Sequence, residues 1–164
     1  MQEVNVGIIG LGNVGSGTLA ILTENAEQIG LKLGFPLRVK ALCSRSIGVK
    51  RRQKVMDSVL RTADWREVVA HPEVDIVAEL VGGTTVAREA ILRALELGKP
   101  VVTANKALLS AHGEELFAAA KQFGANLYYE ASVCGGIPII KSLREGFVGL
   151  PPRFEFIARR AKAE

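Results

Sequence analysis

The residues predict the α/β class, a doubly wound parallel sheet covered by helices on both faces. Short apolar runs alternate with helix-period segments along almost the whole chain. Glycine and proline punctuate the joins. The first apolar run enters "GLGNVG", residues 10–15, a G-x-G-x-x-G spacing that opens a helix.

Residues 4–9, "VNVGII", read as a buried strand, and Asn13 to about Ile29 as a helix with Val14, Leu19, Leu22, Ala26 and Ile29 at helical spacing. A loop with Gly30, Gly34 and Pro36 leads to a second strand around residues 35–43, where Leu37 and Val39 alternate before Leu42. "DWREVVAHP" is a short helix closed by Pro72; a third strand at about Asp75 to Val81 follows and ends in a glycine turn. "TTVAREAILRALELGK" predicts a helix ended by Gly98, and "PVVTAN" the next strand. "KALLSAHGEELFAAAKQFG" predicts a helix interrupted by Gly113 and closed by Gly124, followed by the strand "NLYYEA". After the turn "SVCGG", residues 137–148 suit a last helix with Pro138 in its first turn.

At 164 residues, with 48% hydrophobic and 23% charged residues, the chain has the balance of one compact domain. Residues 1–149 form the expected unit. Residues 150–164, "LPPRFEFIARRAKAE" with its preceding glycine excluded, change character and complete no further strand and helix. No apolar stretch reaches the roughly 18 residues a spanning helix needs, and no signal-like N-terminus is present, so the expectation is a cytoplasmic protein with no membrane partner. Cys43 and Cys134 lack any Cys-x-x-Cys or zinc-like spacing and are expected to be reduced.

The glycines have a specific physical use. Gly10 permits a sharp turn, Gly12 lets backbone N–H groups approach a diphosphate, and Gly15 lets the helix pack closely on the strand. Leu11, Asn13 and Val14 complete the loop, and the anion sits at the positive end of the helix. The expectation is thus a Rossmann-type, dinucleotide-binding turn; a flavodoxin-like turn without a dinucleotide is the other reading of the same pattern.

Net charge is +4, and no Asp or Glu falls between Gln28 and Met56, where Lys32, Arg38, Lys40, Arg45, Lys50, Arg51, Arg52 and Lys54 lie. A fold of this type that prefers NAD places a carboxylate at the end of the second strand to bind the ribose hydroxyls. Here that place reads "CSRS", and Arg45 suits a 2′-phosphate, so the expected cofactor is NADP, with NAD the alternative. "KRRQK", residues 50–54, reads equally as phosphate contact or a solvated loop. No recognised module or aromatic platform accompanies the charge, so no nucleic-acid partner is expected.

"VTANKALLS", residues 102–110, and "YYEASVCGGIPIIKSLREG", residues 128–146, together with the opening glycines, resemble the N-terminal, cofactor-binding part of homoserine dehydrogenase over about residues 4–149. The resemblance implies reduction of aspartate 4-semialdehyde to homoserine with NADH or NADPH, on the route to threonine, methionine and isoleucine. Lys106 begins a helix, where a cation opposes the macrodipole by about 0.3 to 1 kcal/mol. Position alone leaves a site lysine and an exposed lysine equal; the resemblance implies that Lys106 faces the nicotinamide and substrate. "LVGGT" ends a strand on the edge where ligands of open sheets collect, which makes Gly82, Gly83 and Thr84 candidates for the cofactor cleft, with a plain turn and helix cap as the other account of Thr84. "EASVCGGI" resembles the family loop that holds a monovalent cation, usually sodium, which implies oxygens at Glu130, Val133, Gly135 and Ile137.

Other residues are expected to be ordinary. His71 precedes a proline at a helix end, His112 lies in a polar helical turn, and Lys141 and Glu145 are a solvated pair. Nothing near Cys134 supplies the base that a nucleophilic cysteine needs. In the family the chain continues into a substrate and dimerisation domain bearing the principal catalytic lysine, none of which matches the tail here. The expectation is weak or absent turnover by this polypeptide alone and an apolar patch favouring a homo-oligomer or a separate chain. The alternatives are a non-catalytic NAD(P)-binding or regulatory module, or another small-substrate dehydrogenase such as aspartate dehydrogenase or dihydrodipicolinate reductase; "TANKALLS" and the long glycine loop argue against the latter.

Overall fold

The computed structural model describes residues 3–46 and 58–146. It contains six strands, β1 Val4–Ile9, β2 Leu37–Cys43, β3 Leu60–Thr62, β4 Ile76–Glu79, β5 Val101–Thr103 and β6 Leu127–Tyr128. Six helices accompany them: α1 Asn13–Glu24, α2 Ala26–Leu33, α3 Trp65–Ala70, α4 Thr85–Glu96, α5 Lys106–Phe123 and α6 Ile139–Gly146. The sheet order is β3-β2-β1-β4-β5-β6, and every neighbouring pair is parallel. The order reverses between β1 and β4, so the chain is Rossmann-like α/β. The basic "KRRQK" stretch and the tail from residue 147 lie outside the described residues.

Alternation along the strands builds two cores. Ile9, Ala41, Cys43, Val77, Val101 and Leu127 face α3, α4 and α5, whereas Val6, Ile8, Leu42 and Ala78 pack with Leu11 and Leu19. Helix α4 buries Ala87, Ala90, Ile91, Ala94 and Leu95, the i, i+3, i+4, i+7, i+8 stripe of a core-facing helix. Its three alanines let it sit close to the sheet, and Arg88 pairs with Glu115 to tie it to α5. On the opposite face, beyond the reach of α1, the register partners Val102 and Tyr128 are 38% and 49% exposed.

Several boundaries differ from the sequence reading. The first long helix is broken at Asn25, which leaves helical geometry at φ −108°, ψ 19° and turns its amide Nδ2 back onto the Ile21 carbonyl at 3.2 Å. An asparagine side chain that bonds the carbonyl of the preceding turn shares that acceptor with the helix ladder. Strand β3 went unforeseen because three residues, "LRT", are too few for a period. Gly113 does not interrupt α5: it is buried against Phe117, and one glycine costs only about 1 kcal/mol against the favourable residues around it. Strand β6 stops at Tyr128 because Glu130–Ser132 turns into a 3-10 segment. Helix α6 begins at Ile139, with Pro138 just outside it and the Pro138 carbonyl accepting the Ser142 N–H at 3.1 Å.

The two cysteines have opposite environments. Cys134 is exposed, while Cys43 is buried, and burial, with the charges of Asp64 and Glu67 adding to it, pushes its thiol up to about 11. Iodoacetamide at pH 8 should therefore add one label to the native protein, at Cys134, and two only after denaturation. Mass spectrometry of the intact chain and its peptides reads this directly, and rapid native labelling of Cys43 would contradict it.

Candidate functional site

The carboxyl ends of β1, β2, β4 and β5 share one rim of the sheet, and the expected cofactor residues follow them there. The rim is assembled by close backbone contact at its centre. Gly10 has φ +101°, and a Cβ built on it would stand 2.5 Å from the Leu80 backbone. A Cβ on Gly15 would stand 1.8 Å from the Gly10 carbonyl oxygen. The turn after β1 is thus wedged between the start of α1 and the loop after β4, and only glycine fits at either position. Gly12 is different: among the described residues nothing lies within 4 Å of the place its Cβ would take.

That open position is the N-cap of α1. The helix has no side-chain cap and no acidic residue in its first turn, so its leading N–H groups and its positive end are directed toward the cleft without a built-in anion. Asn13 and Val14 are exposed, whereas Leu11 is buried and can offer a ligand only its backbone. Beyond β2 the chain reads Ser44 and Arg45; the Ser44 N–H bonds the Thr62 carbonyl at 3.0 Å, and Arg45 is exposed. Ser44, Arg45 and Ser46, the described residues that directly follow β2, include no carboxylate.

After β4, Gly82 and Gly83 take left-handed conformations at φ +75° and +73°. Thr84 stands at the N-cap of α4 but makes no side-chain capping bond, which removes the plain helix-cap account of that residue. After β5, Asn105 caps α5, its Oδ1 accepting the Leu108 N–H at 3.1 Å, and its Nδ2 donates to the Gly83 carbonyl at 2.7 Å. Lys106 is the exposed first residue of α5, set beside the glycine turn by this bond.

Glu79 was not among the residues singled out from the sequence. It ends β4 with no exposed surface, and its Oε1 accepts the Val81 N–H at 2.9 Å and the Gly82 N–H at 3.3 Å. Its Oε2 accepts the hydroxyl of its register partner Thr103 at 2.7 Å. Thr103 is equally buried; its Oγ1 accepts the Asn105 N–H at 3.1 Å, and its carbonyl accepts the Ser132 hydroxyl at 2.9 Å. The available signal was a carboxylate inside the apolar run "DIVAEL", a residue placed against the pattern around it.

The residues expected to hold a cation lie in the loop after β6. The Glu130 carboxylate is committed to the start of α6, accepting the Ile140 N–H at 2.8 Å and the Lys141 N–H at 3.0 Å. Cys134 and Gly135 are successive left-handed residues in this loop, at φ +55° and +59°. Among the described residues no three His, Cys, Asp or Glu side chains gather as a metal site.

Comparison with known proteins gives concordant results. Residues 10–130 match the family model described as "Homoserine dehydrogenase, NAD binding domain". A homoserine dehydrogenase of Neisseria gonorrhoeae is 47% identical over 146 residues, covering 89% of this chain and 33% of the relative. The crystal structure of a homoserine dehydrogenase from Thiobacillus denitrificans superposes with a TM-score of 0.79 at 45% identity, over 89% of this chain and 33% of that one. A hyperthermophilic archaeal homoserine dehydrogenase in complex with NADPH gives a TM-score of 0.71 at 27% identity, over 90% of this chain and 50% of that one. The chain spans about a third of the length of the curated relatives it matches.

Proposed function

This chain belongs to the homoserine dehydrogenase NAD-binding domain family, and from that premise we propose that it holds NADP(H) for the interconversion of aspartate 4-semialdehyde and homoserine. The observation that carries the reading is the uncapped, acid-free first turn of α1 beside the open position at Gly12. An anion there gains the helix's positive end and the backbone N–H groups together. Residues 1–149 are the proposed cofactor-binding unit, with 150–164 as a tail outside it.

The roles follow from position on the rim. Gly10, Leu11, Gly12, Asn13, Val14 and Gly15 form the diphosphate turn. Arg45, just beyond β2 in the carboxylate-free stretch 44–46, meets the 2′-phosphate of the adenosine half. Gly82, Gly83, Thr84 and Lys106 take the nicotinamide half, with Lys106 also toward the substrate. The bound dinucleotide supplies the hydride, and the residues of this chain supply its orientation. Main-chain carbonyls of Glu130, Val133, Gly135 and Ile137 are proposed for a monovalent cation, sodium foremost. The donor set fits a hard ion in type: the Glu130 carboxylate already serves α6, which leaves main-chain oxygens as the donors, the Glu130 and Ile137 carbonyls each also accepting one backbone N–H. The sheet face bearing Val102 and Tyr128 is the proposed surface for a second copy or a separate chain.

The test is fluorescence titration of the purified chain with NADPH and NADH. NADPH is expected to bind about tenfold more tightly, the scale of one additional charged contact. Arg45→Ala should abolish that preference while leaving NADH affinity unchanged. Failure of the chain to bind either nucleotide would overturn the reading.

A further inference from the structure

We infer that Glu79 is a positioning residue for the nicotinamide half of the dinucleotide, its buried carboxylate holding the Gly82–Gly83 turn and the Lys106 end of α5 in one arrangement. The inference rests on the reading of this rim as a dinucleotide site.

A carboxylate with no exposed surface at the end of an apolar strand is costly in desolvation, and an apolar residue of similar size often serves stability as well. What an apolar residue cannot do is fix three donors on two different strand ends. Oε1 gathers the successive amides of Val81 and Gly82, which sets the path of the chain into the left-handed pair at Gly82 and Gly83. Oε2 takes the Thr103 hydroxyl across the β4–β5 pair. The same hydroxyl oxygen receives the Asn105 N–H, and Asn105 reaches back to the Gly83 carbonyl while capping α5. The bonds form a closed path from Glu79 through Thr103 and Asn105 to Gly83, and Lys106 is the next residue along the chain. Ser132 fastens the loop after β6 to the same Thr103.

This polar frame is confined to the β4, β5 and β6 side of the rim. The other side, where the adenosine half lies over β1 and β2 in folds of this order, is held differently. There the Gly10 N–H bonds the Cys43 carbonyl, the Leu80 N–H bonds the Ile9 carbonyl, and Gly10 and Gly15 are in close backbone contact. The two sides meet only at the Leu80–Val81 backbone beside Gly10, which the Leu80–Ile9 bond also fixes, so weakening the Glu79 frame should act chiefly on the β4–β5 half of the cleft.

The experiment compares wild type, Glu79→Gln and Thr103→Val, each checked for a cooperative thermal melt. Two probes are titrated: NADPH, and adenosine 2′,5′-bisphosphate, which carries the adenosine and 2′-phosphate but no nicotinamide. In Glu79→Gln the amide oxygen can still serve the Val81 and Gly82 amides, but the NH2 group donates to the Thr103 oxygen instead of accepting from it, so the Thr103 O–H loses its charged acceptor. Thr103→Val removes that link from the other side, and with it the acceptor of the Asn105 N–H, at nearly constant shape. Each variant is expected to weaken NADPH about tenfold, the scale of one hydrogen bond to a charged group, while adenosine 2′,5′-bisphosphate changes by less than about twofold. A purely structural role would lower both affinities alike, and equal loss, or no loss, overturns the inference. Should wild type bind neither probe, the dinucleotide reading fails first. Should Glu79→Gln not fold, Thr103→Val decides alone.

Discussion

Replacing Gly15 with alanine is expected to cost about 3 kcal/mol of stability, seen as a fall in melting temperature of roughly 10 °C. The new Cβ would lie 1.8 Å from the Gly10 carbonyl oxygen and 2.9 Å from its carbonyl carbon, so α1 and the turn must part. The turn cannot retreat. Gly10 already abuts the Leu80 backbone, and its N–H is spent on the Cys43 carbonyl. The helix must move instead, and with it Leu19, which is buried against Val6, Ile8 and Leu42. A melting temperature within about 2 °C of wild type, by calorimetry or circular dichroism, would show that the contact yields more easily than interior packing ordinarily does.

Gly12→Ala should behave in the opposite way. Its φ of −72° suits any residue, and none of the described residues lies within 4 Å of the added methyl, so the melting temperature should move little; alanine is a poorer N-cap than glycine by about 1 kcal/mol or less. The methyl group does occupy the approach to the first N–H groups of α1. NADPH affinity is expected to fall about 30-fold, equivalent to ~2 kcal/mol, when measured by titration. Unchanged affinity would mean that a diphosphate does not sit at this turn. The two substitutions together answer whether the glycine pattern is a tight turn or a binding groove: the first probes packing, the second empty space.

Much of the fold was legible because apolar periodicity reports burial directly. The stripe of α4 and the alternation in β2 are one-dimensional patterns with one structural solution each. The misreadings fall where a side chain or a short segment works against the pattern. Asn25 leaves helical geometry where its side chain turns back to the Ile21 carbonyl, β3 has too few residues to show a period, and Gly113 is tolerated because its neighbours carry the helix. The rim residues expected from the glycine motif and from "LVGGT" and "TANK" do follow the carboxyl ends of their strands. Glu79, Thr103 and Ser132 escaped notice because a buried polar group declares itself only through partners distant along the chain.

By itself the sequence determined the class of fold and the place of the glycine turn, since local spacing specifies both, and its longer motifs carried the resemblance to the family. Only the tertiary structure decided which glycines are compressed and which face open space, that the Thr84 side chain makes no capping bond, and that Glu79, Thr103 and Asn105 join two strand ends. The physical reason is separation: Glu79 meets Thr103, a residue 24 positions away, and Asn105 meets Gly83 across 22. Those contacts arise from the parallel register of β4 and β5, which no local pattern encodes.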